Sequence, residues 1–262
     1  MTRFTAPAKL TLSLAVTGVR ADGYHQLRSE MVSLSLSDEL TFTEGRTGLT
    51  FEAEPGTRAE SLADGEHNLI TRALAAVGRR ATVHVIKRIP LGGGLGGGSA
   101  DAAAVLRWAR CHDLDLARSL GSDVPFSLVG GRALVEGTGE QVTPLDFEAR
   151  QFLLLVPPFG VNTAQVYAAW DQQDEQDEQG RAEGENALTR AALTVEPRLV
   201  RWRDAFRDLV GREPTLAGSG STWFVESSAP TTDTGELQWL TEGEERARLV
   251  RAHTVPPGWE GG

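Results

Sequence analysis

The chain has 262 residues, 40% of them hydrophobic and 24% charged, with a formal net charge of −10 and a single cysteine, Cys111. A chain of this length can bury a substantial core, as one large domain or two modest ones. The acidic balance argues against general binding to nucleic acid or to an anionic membrane, and the lone cysteine excludes a disulfide framework or thiolate metal cluster and fits a reducing, cytoplasmic setting. No uninterrupted apolar stretch approaches the roughly 18 residues of a membrane helix, and Lys9 falls where a signal peptide would be apolar.

In chain order, Leu10, Leu12, Leu14 and Val16 alternate with Thr11, Ser13, Ala15 and Thr17, the period of a half-buried strand. After a polar turn at 18–23, Val32, Leu34 and Leu36 alternate with Ser33 and Ser35 in a second strand. Leu40 and Phe42 begin a third beyond a turn-like Ser37-Asp38-Glu39, so the opening reads as an antiparallel meander. Asn68 is placed to cap a helix through Val77, and Ala81 to Lys87 reads as a strand. A glycine-rich segment then leads into a helix capped by Ser99 and running to about Cys111. A short helix at 114–120 follows, then Pro125 in the first turn of another, then strands near 132–136 and 140–143.

A boundary between Leu145 and Gln151 divides the chain into residues 1–147 and 148–262, and the continuous apolar strand Phe152 to Val156 ends at Pro157-Pro158. Residues 163–170 read as a helix, and 172–185 as a solvated loop whose acidic spacing fits no calcium site. Leu199, Trp202, Phe206 and Leu209 mark one face of an amphipathic helix, and a second glycine cluster at 217–222 reads as a tight turn or as backbone close to a ligand.

The segment Pro90-Leu-Gly-Gly-Gly-Leu-Gly-Gly-Gly-Ser99 carries six glycines in seven positions: Gly92, Gly93, Gly94, Gly96, Gly97 and Gly98 around Leu95. Glycine lets an anion approach main-chain amides closely, and an alanine-rich helix directly after it presents unpaired N–H groups and a favourable dipole. A phosphate-wrapping loop is the expectation. It is not a Walker loop, since no lysine precedes Ser99, and G-x-G-x-x-G alone is met by almost any glycine run. Nor does a buried acid-ended strand follow at dinucleotide-fold spacing. Phosphoryl transfer also needs a group that takes the acceptor's proton and cations that balance developing charge. Lys9 and Asp123 are the candidates: taken singly, a strand-end lysine and a helix cap, but together an ammonium that would favour both the carboxylate and a developing alkoxide.

Five segments occur in the order found in the GHMP kinases: Pro7-Ala-Lys-Leu-Thr-Leu-Ser-Leu, Arg20-Ala-Asp-Gly-Tyr-His25, Pro90 to Ala104, Gly121-Ser-Asp-Val-Pro-Phe126 and Gly218-Ser-Gly220. The chain resembles that family from about residue 6 to 226. The resemblance implies an α+β, two-domain fold: an N-terminal half like domain 2 of ribosomal protein S5, a ferredoxin-like C-terminal half, and ATP in the cleft between them. It implies ATP with Mg2+ and, from Arg20 to His25, a small-molecule substrate of the cytidine diphosphate sugar-alcohol type. Lys9 and Asp123 match the catalytic pair; Pro90 and Gly92 to Ser99 match the nucleotide loop, with Asn68 and Lys87 near the adenine. Thr11, Tyr24, His25, Thr163, Tyr167, Gly218, Ser219 and Gly220 match substrate positions, Tyr167 as the ring that stacks on cytosine. Thr11 replaces the family's asparagine and Ala100 a second serine, which leaves Ser99 as the one loop hydroxyl for phosphate or metal. Two rivals remain: another kinase of this superfamily, of homoserine or mevalonate type, and a nucleotide-binding regulator without turnover.

Overall fold

The computed structural model describes residues 1–58, 65, 68–173, 186–227 and 238–258. Strands β1 (Thr2–Val19) and β2 (His25–Glu44) form a long antiparallel hairpin whose tip carries Tyr24. Ser37-Asp38-Glu39, expected as a turn, instead runs through the middle of β2 opposite Thr5, Ala6 and Pro7. Its polarity answers a buried partner rather than solvent, because the Asp38 carboxylate accepts from the main-chain N–H groups of Arg88 at 2.6 Å and Ile89 at 2.8 Å. Leu40 and Phe42 therefore belong to β2, and the third strand is β3 (Gly48–Ala53). It pairs in parallel with β4 (Ala81–Lys87) through α1 (Leu69–Ala76), so the meander stops at the hairpin.

One edge of β2 pairs with β1; the other is divided between β4, along residues 39–44, and β5 (Arg132–Gly137), along residues 27–32. With β6 (Gln141–Pro144) beside β5, the first sheet has the order β3-β4-β2-β5-β6. Helices α2 (Gly97–Trp108) and α4 (Val124–Val129) pack on it, and α3 (Leu114–Leu120) packs on α1, α2 and α4. The buried alanines at 100, 102, 103 and 104 have almost no side-chain bulk, so α2 lies close against β1, α1 and α4 at once.

The second sheet has the order β10-β11-β7-β9-β8, built from β7 (Gln151–Val156), β8 (Thr215–Leu216), β9 (Trp223–Glu226), β10 (Gln238–Glu242) and β11 (Glu245–His253). The continuous apolar pattern of β7 follows from burial on both faces. Phe152, Leu154 and Val156 enter the core shared with the first sheet, while Leu155 faces α5 (Thr163–Asp171), α6 (Thr189–Val195) and α7 (Arg198–Val210). Leu199, Trp202 and Phe206 of α7 are buried as expected, but Leu209 is 52% exposed, and in the last turn it is Val210 that packs against the core. The chain then returns to the first sheet, where Val255 N–H donates to Ser33 O at 2.9 Å. Residues 174–185, most of the expected solvated loop, lie outside the described residues. Among the described residues no helix is long and apolar enough to cross a membrane.

Candidate active site

The glycine segment joins β4 to α2 and turns on left-handed residues, with φ of +63° at Gly92, +77° at Gly94 and +69° at Gly96. Gly96 is the helix N-cap, and Ser99, expected there, lies inside the first turn. The helix thus begins within the glycine run, so the N–H groups of Gly97, Gly98 and Ser99 are first-turn donors, the arrangement that receives an anion. Two glycines are required by their neighbours as well as by φ. A Cβ at Gly96 would stand 2.8 Å from Lys9 Cγ, and one at Gly94 would overlap the Ala217 carbonyl oxygen. Gly94→Ala is therefore expected to cost about 2–5 kcal/mol, from left-handed strain plus overpacking, measured by urea unfolding. A near-normal midpoint would show that the loop and residues 217–220 are not held together.

Lys9 is central to this contact. Its N–H donates to Leu95 O at 3.0 Å, and its Nζ donates to Thr11 Oγ1 at 3.1 Å and stands 3.7 Å from Asp123 Oδ2. Taken singly, Lys9 read as a solvated strand end; it is buried. Asp123 occupies the N-cap position of α4 but makes no side-chain cap bond, so its carboxylate, 34% exposed, is directed to Lys9 and solvent. From the other side, Gly218 approaches so closely that a Cβ there would meet Lys9 Nζ at 3.3 Å and Thr11 Oγ1 at 3.6 Å. Ser219 Oγ and Thr163 Oγ1 share a hydrogen bond of 2.8 Å. Lys9, Thr11, Asp123, Gly92 to Ser99, Thr163 and Gly218 to Gly220 are thus gathered in one place by both sheets.

At the hairpin tip Tyr24 is 60% exposed, whereas the His25 ring is enclosed. Tyr167 stacks on it with centroids 4.6 Å apart, Trp170 meets it edge-on at 5.4 Å, and Asp171 Oδ1 lies 2.7 Å from its Nε2. One face of Tyr167 is therefore covered by His25, and the side chain packs against the core under the second sheet. Burial, with the Asp123 carboxylate adding to it, pushes the Tyr167 hydroxyl well above its ordinary pKa and keeps it a neutral donor.

Lys87 corrects an expectation. Instead of facing a nucleotide, its side chain is 0% exposed, bonded to Asp38 and, at 2.6 Å, to Asp101 Oδ2. Asn68 caps α1 by accepting from Ile70 N–H at 2.9 Å, and Pro90 is buried at the root of the loop. Two residues escaped the sequence reading. Asn186 Nδ2 donates to Leu216 O at 2.8 Å and Gly218 O at 2.6 Å and so fixes the second glycine cluster, with no local signal to announce it. Asp171 lies one helical turn beyond Tyr167, a spacing that places both on one helix face.

A family model described as GHMP kinases N terminal domain matches residues 68–131, the stretch from the α1 cap through the loop to Gly131. The 4-diphosphocytidyl-2-C-methyl-D-erythritol kinase of Dehalococcoides mccartyi is 36% identical over 258 residues, covering 86% of this chain and 89% of its own. This chain belongs to that kinase family. A crystal structure of 4-(cytidine 5'-diphospho)-2C-methyl-D-erythritol kinase superposes with a TM-score of 0.68 at 33% identity, over 87% of this chain and 91% of the other. The mevalonate kinase of Methanococcus jannaschii, at 12% identity, TM-score 0.60 and coverage of 97% and 98%, shares the fold. Membership agrees with the α+β, two-domain GHMP architecture, in which the loop and the Lys9–Asp123 pair are brought together by long-range packing rather than by sequence proximity.

Proposed function

We propose that this chain transfers the γ-phosphoryl group of ATP to the 2-hydroxyl of 4-diphosphocytidyl-2-C-methyl-D-erythritol, a step of the non-mevalonate, methylerythritol phosphate route to isopentenyl diphosphate, in the cytoplasm. The observation that carries the reading is Asp123, uncapped and paired with Lys9, beside first-turn amides that can receive a triphosphate. Residues 92–99 would hold the phosphates, through the first-turn N–H groups of α2, with Asn68 nearer the base. ATP supplies the phosphoryl group. Asp123 takes the proton of the acceptor hydroxyl as its oxygen bonds to phosphorus, Lys9 balances the charge that gathers there, and the loop amides stabilise the leaving diphosphate. Among the described residues no three His, Cys, Asp or Glu side chains could hold a metal. Mg2+ would accordingly be held mainly by phosphate oxygens and water. We divide the chain at 147/148, between the last strand of the first sheet and the first of the second.

On the acceptor side, Thr11, Thr163 and Gly218 to Gly220 would line the polyol diphosphate, and Tyr24, His25 and Tyr167 the pyrimidine. Tyr167→Ala is expected to raise KM for the cytidine substrate about tenfold, the order of one base–aromatic stack, with a smaller effect on kcat. An unchanged KM would remove the ring from the site. The function itself is tested by ADP release from purified protein, with diphosphocytidyl-methylerythritol, homoserine and mevalonate compared as acceptors. Selective turnover of the first is expected; preference for either of the others would overturn the reading.

A further inference from the structure

We infer that Asn186 is a positioning residue for the acceptor side of the reaction, because its side-chain amide holds the tip of the second glycine turn against Lys9 and Thr11; the inference rests on the function proposed above. The amide is fully engaged. Its Nδ2 donates to Leu216 O at 2.8 Å and to Gly218 O at 2.6 Å, while its Oδ1 accepts from Leu188 N–H at 2.9 Å. Only this orientation serves all three partners, since the reverse would set the amide oxygen against two carbonyl oxygens. The side chain is buried, so a bond lost here is not simply exchanged for one to bulk water. Asn186 is also seated on the strand that carries the pair. It bridges in parallel to Leu14 of β1, and the next N–H, of Ala187, donates to Leu14 O at 2.9 Å. One short segment therefore grips the strand of Lys9 and Thr11 with its main chain and the glycine turn with its side chain, which sets the gap between them.

The turn has two faces, and Asn186 governs one of them. Towards the nucleotide loop, Thr222 N–H donates to Gly93 O at 3.2 Å and the Ala217 carbonyl closes over Gly94. That face is tied by bonds of its own, from Ala217 N–H to Thr222 O at 2.9 Å and from Gly220 N–H to Ala217 O at 3.0 Å, with the paired strands β8 and β9 on either side. The other face is the tip, where Gly218 lies against Lys9 Nζ and Thr11 Oγ1 and Ser219 bonds to Thr163. Among the described residues no group but Asn186 bonds the Gly218 main chain. Without that amide the tip can withdraw from Lys9 while the flanks keep their hold on the loop. A displacement of about 1 Å at a group that orients substrate can cost on the order of 10²-fold in rate.

The test is steady-state kinetics of Asn186→Ser and Asn186→Ala, with diphosphocytidyl-methylerythritol and ATP varied in turn, beside urea unfolding of each variant. Serine can keep the local turn by accepting from Leu188 N–H, but its one hydrogen cannot serve two carbonyls, so it removes the clamp with the least harm to the fold. In both variants kcat/KM for the cytidine acceptor is expected to fall about 10–10²-fold, through a higher KM together with a lower kcat, while KM for ATP stays within about twofold of wild type. A merely structural role would lower the urea midpoint and the fraction of active enzyme and leave both KM values as they were, which would overturn the inference. So would KM values for ATP and acceptor that rise together, because the turn would then move as one piece. The wild type separates the two readings: no turnover of the cytidine substrate sinks the proposed function and the inference with it, whereas normal wild-type turnover with unaltered acceptor kinetics in the variants sinks only the assignment to Asn186.

Discussion

Asp123→Asn should lower turnover by about 10²–10⁴ while ATP binding is retained, the range expected when a positioned general base is lost. Asparagine fills the same space, and Asp123 makes no side-chain cap bond that the start of α4 would lose. The loop that would hold ATP is anchored elsewhere, on Lys9 N–H, Ala217 and Gly220. The substitution therefore removes a proton acceptor and the partner of Lys9, and little else. Single-turnover ADP formation, with ATP affinity by calorimetry and the cytidine KM, separates the possibilities. A fall in kcat with both affinities intact is the signature of a group that acts mainly in the transition state. Near-normal kcat would remove Asp123 from the base role, and a matching loss of ATP affinity would mean that the carboxylate supports the loop instead.

The elements legible in the sequence are those whose residue pattern answers a local cause. Asn68 announces α1 because its side chain satisfies a first-turn N–H, and Phe152 to Val156 announces a strand because both faces are buried. The failures share a different origin: polar residues whose partners are distant in the chain. Asp38 looks like turn chemistry until Arg88, Ile89 and Lys87 are beside it, fifty or so positions later. Lys87 is similarly ambiguous, since the family resemblance sets it near the adenine and only the fold reveals two enclosing carboxylates. At the site, Lys9, Asp123 and the glycines could be named from their company in sequence, yet Asn186 and Asp171 act on groups 30 and 146 positions away. No periodicity or motif within a short window encodes such pairs.

The Lys87 cluster yields the largest expected change in stability. Lys87→Met should cost about 3–5 kcal/mol, the range for removing one partner from a buried ion pair, because it strands Asp38 and Asp101 in the interior. Burial alone would lower the pKa of the Lys87 ammonium, but the two carboxylates outweigh it and hold the pKa above its ordinary value. Burial pushes the Asp101 carboxyl up to about 7 against the pull of Lys87, and its Oδ1 is buried with no hydrogen-bond partner among the described residues. With a folded value above the ordinary 3.8, the contribution of Asp101 to stability is complete below about pH 4 and is lost as pH rises towards 7. Asp101→Asn has no such proton to lose. Its unfolding free energy should decline less than that of the wild type between about pH 5 and about pH 8, and equal declines would show that Asp101 does not titrate there. Asp38 ties β2 to the residues that enter the glycine loop, and Asp101 ties α2, which leaves it, to the same ammonium. Loosening Lys87 should therefore also raise KM for ATP, although no atom of its side chain reaches the surface on which a nucleotide would lie.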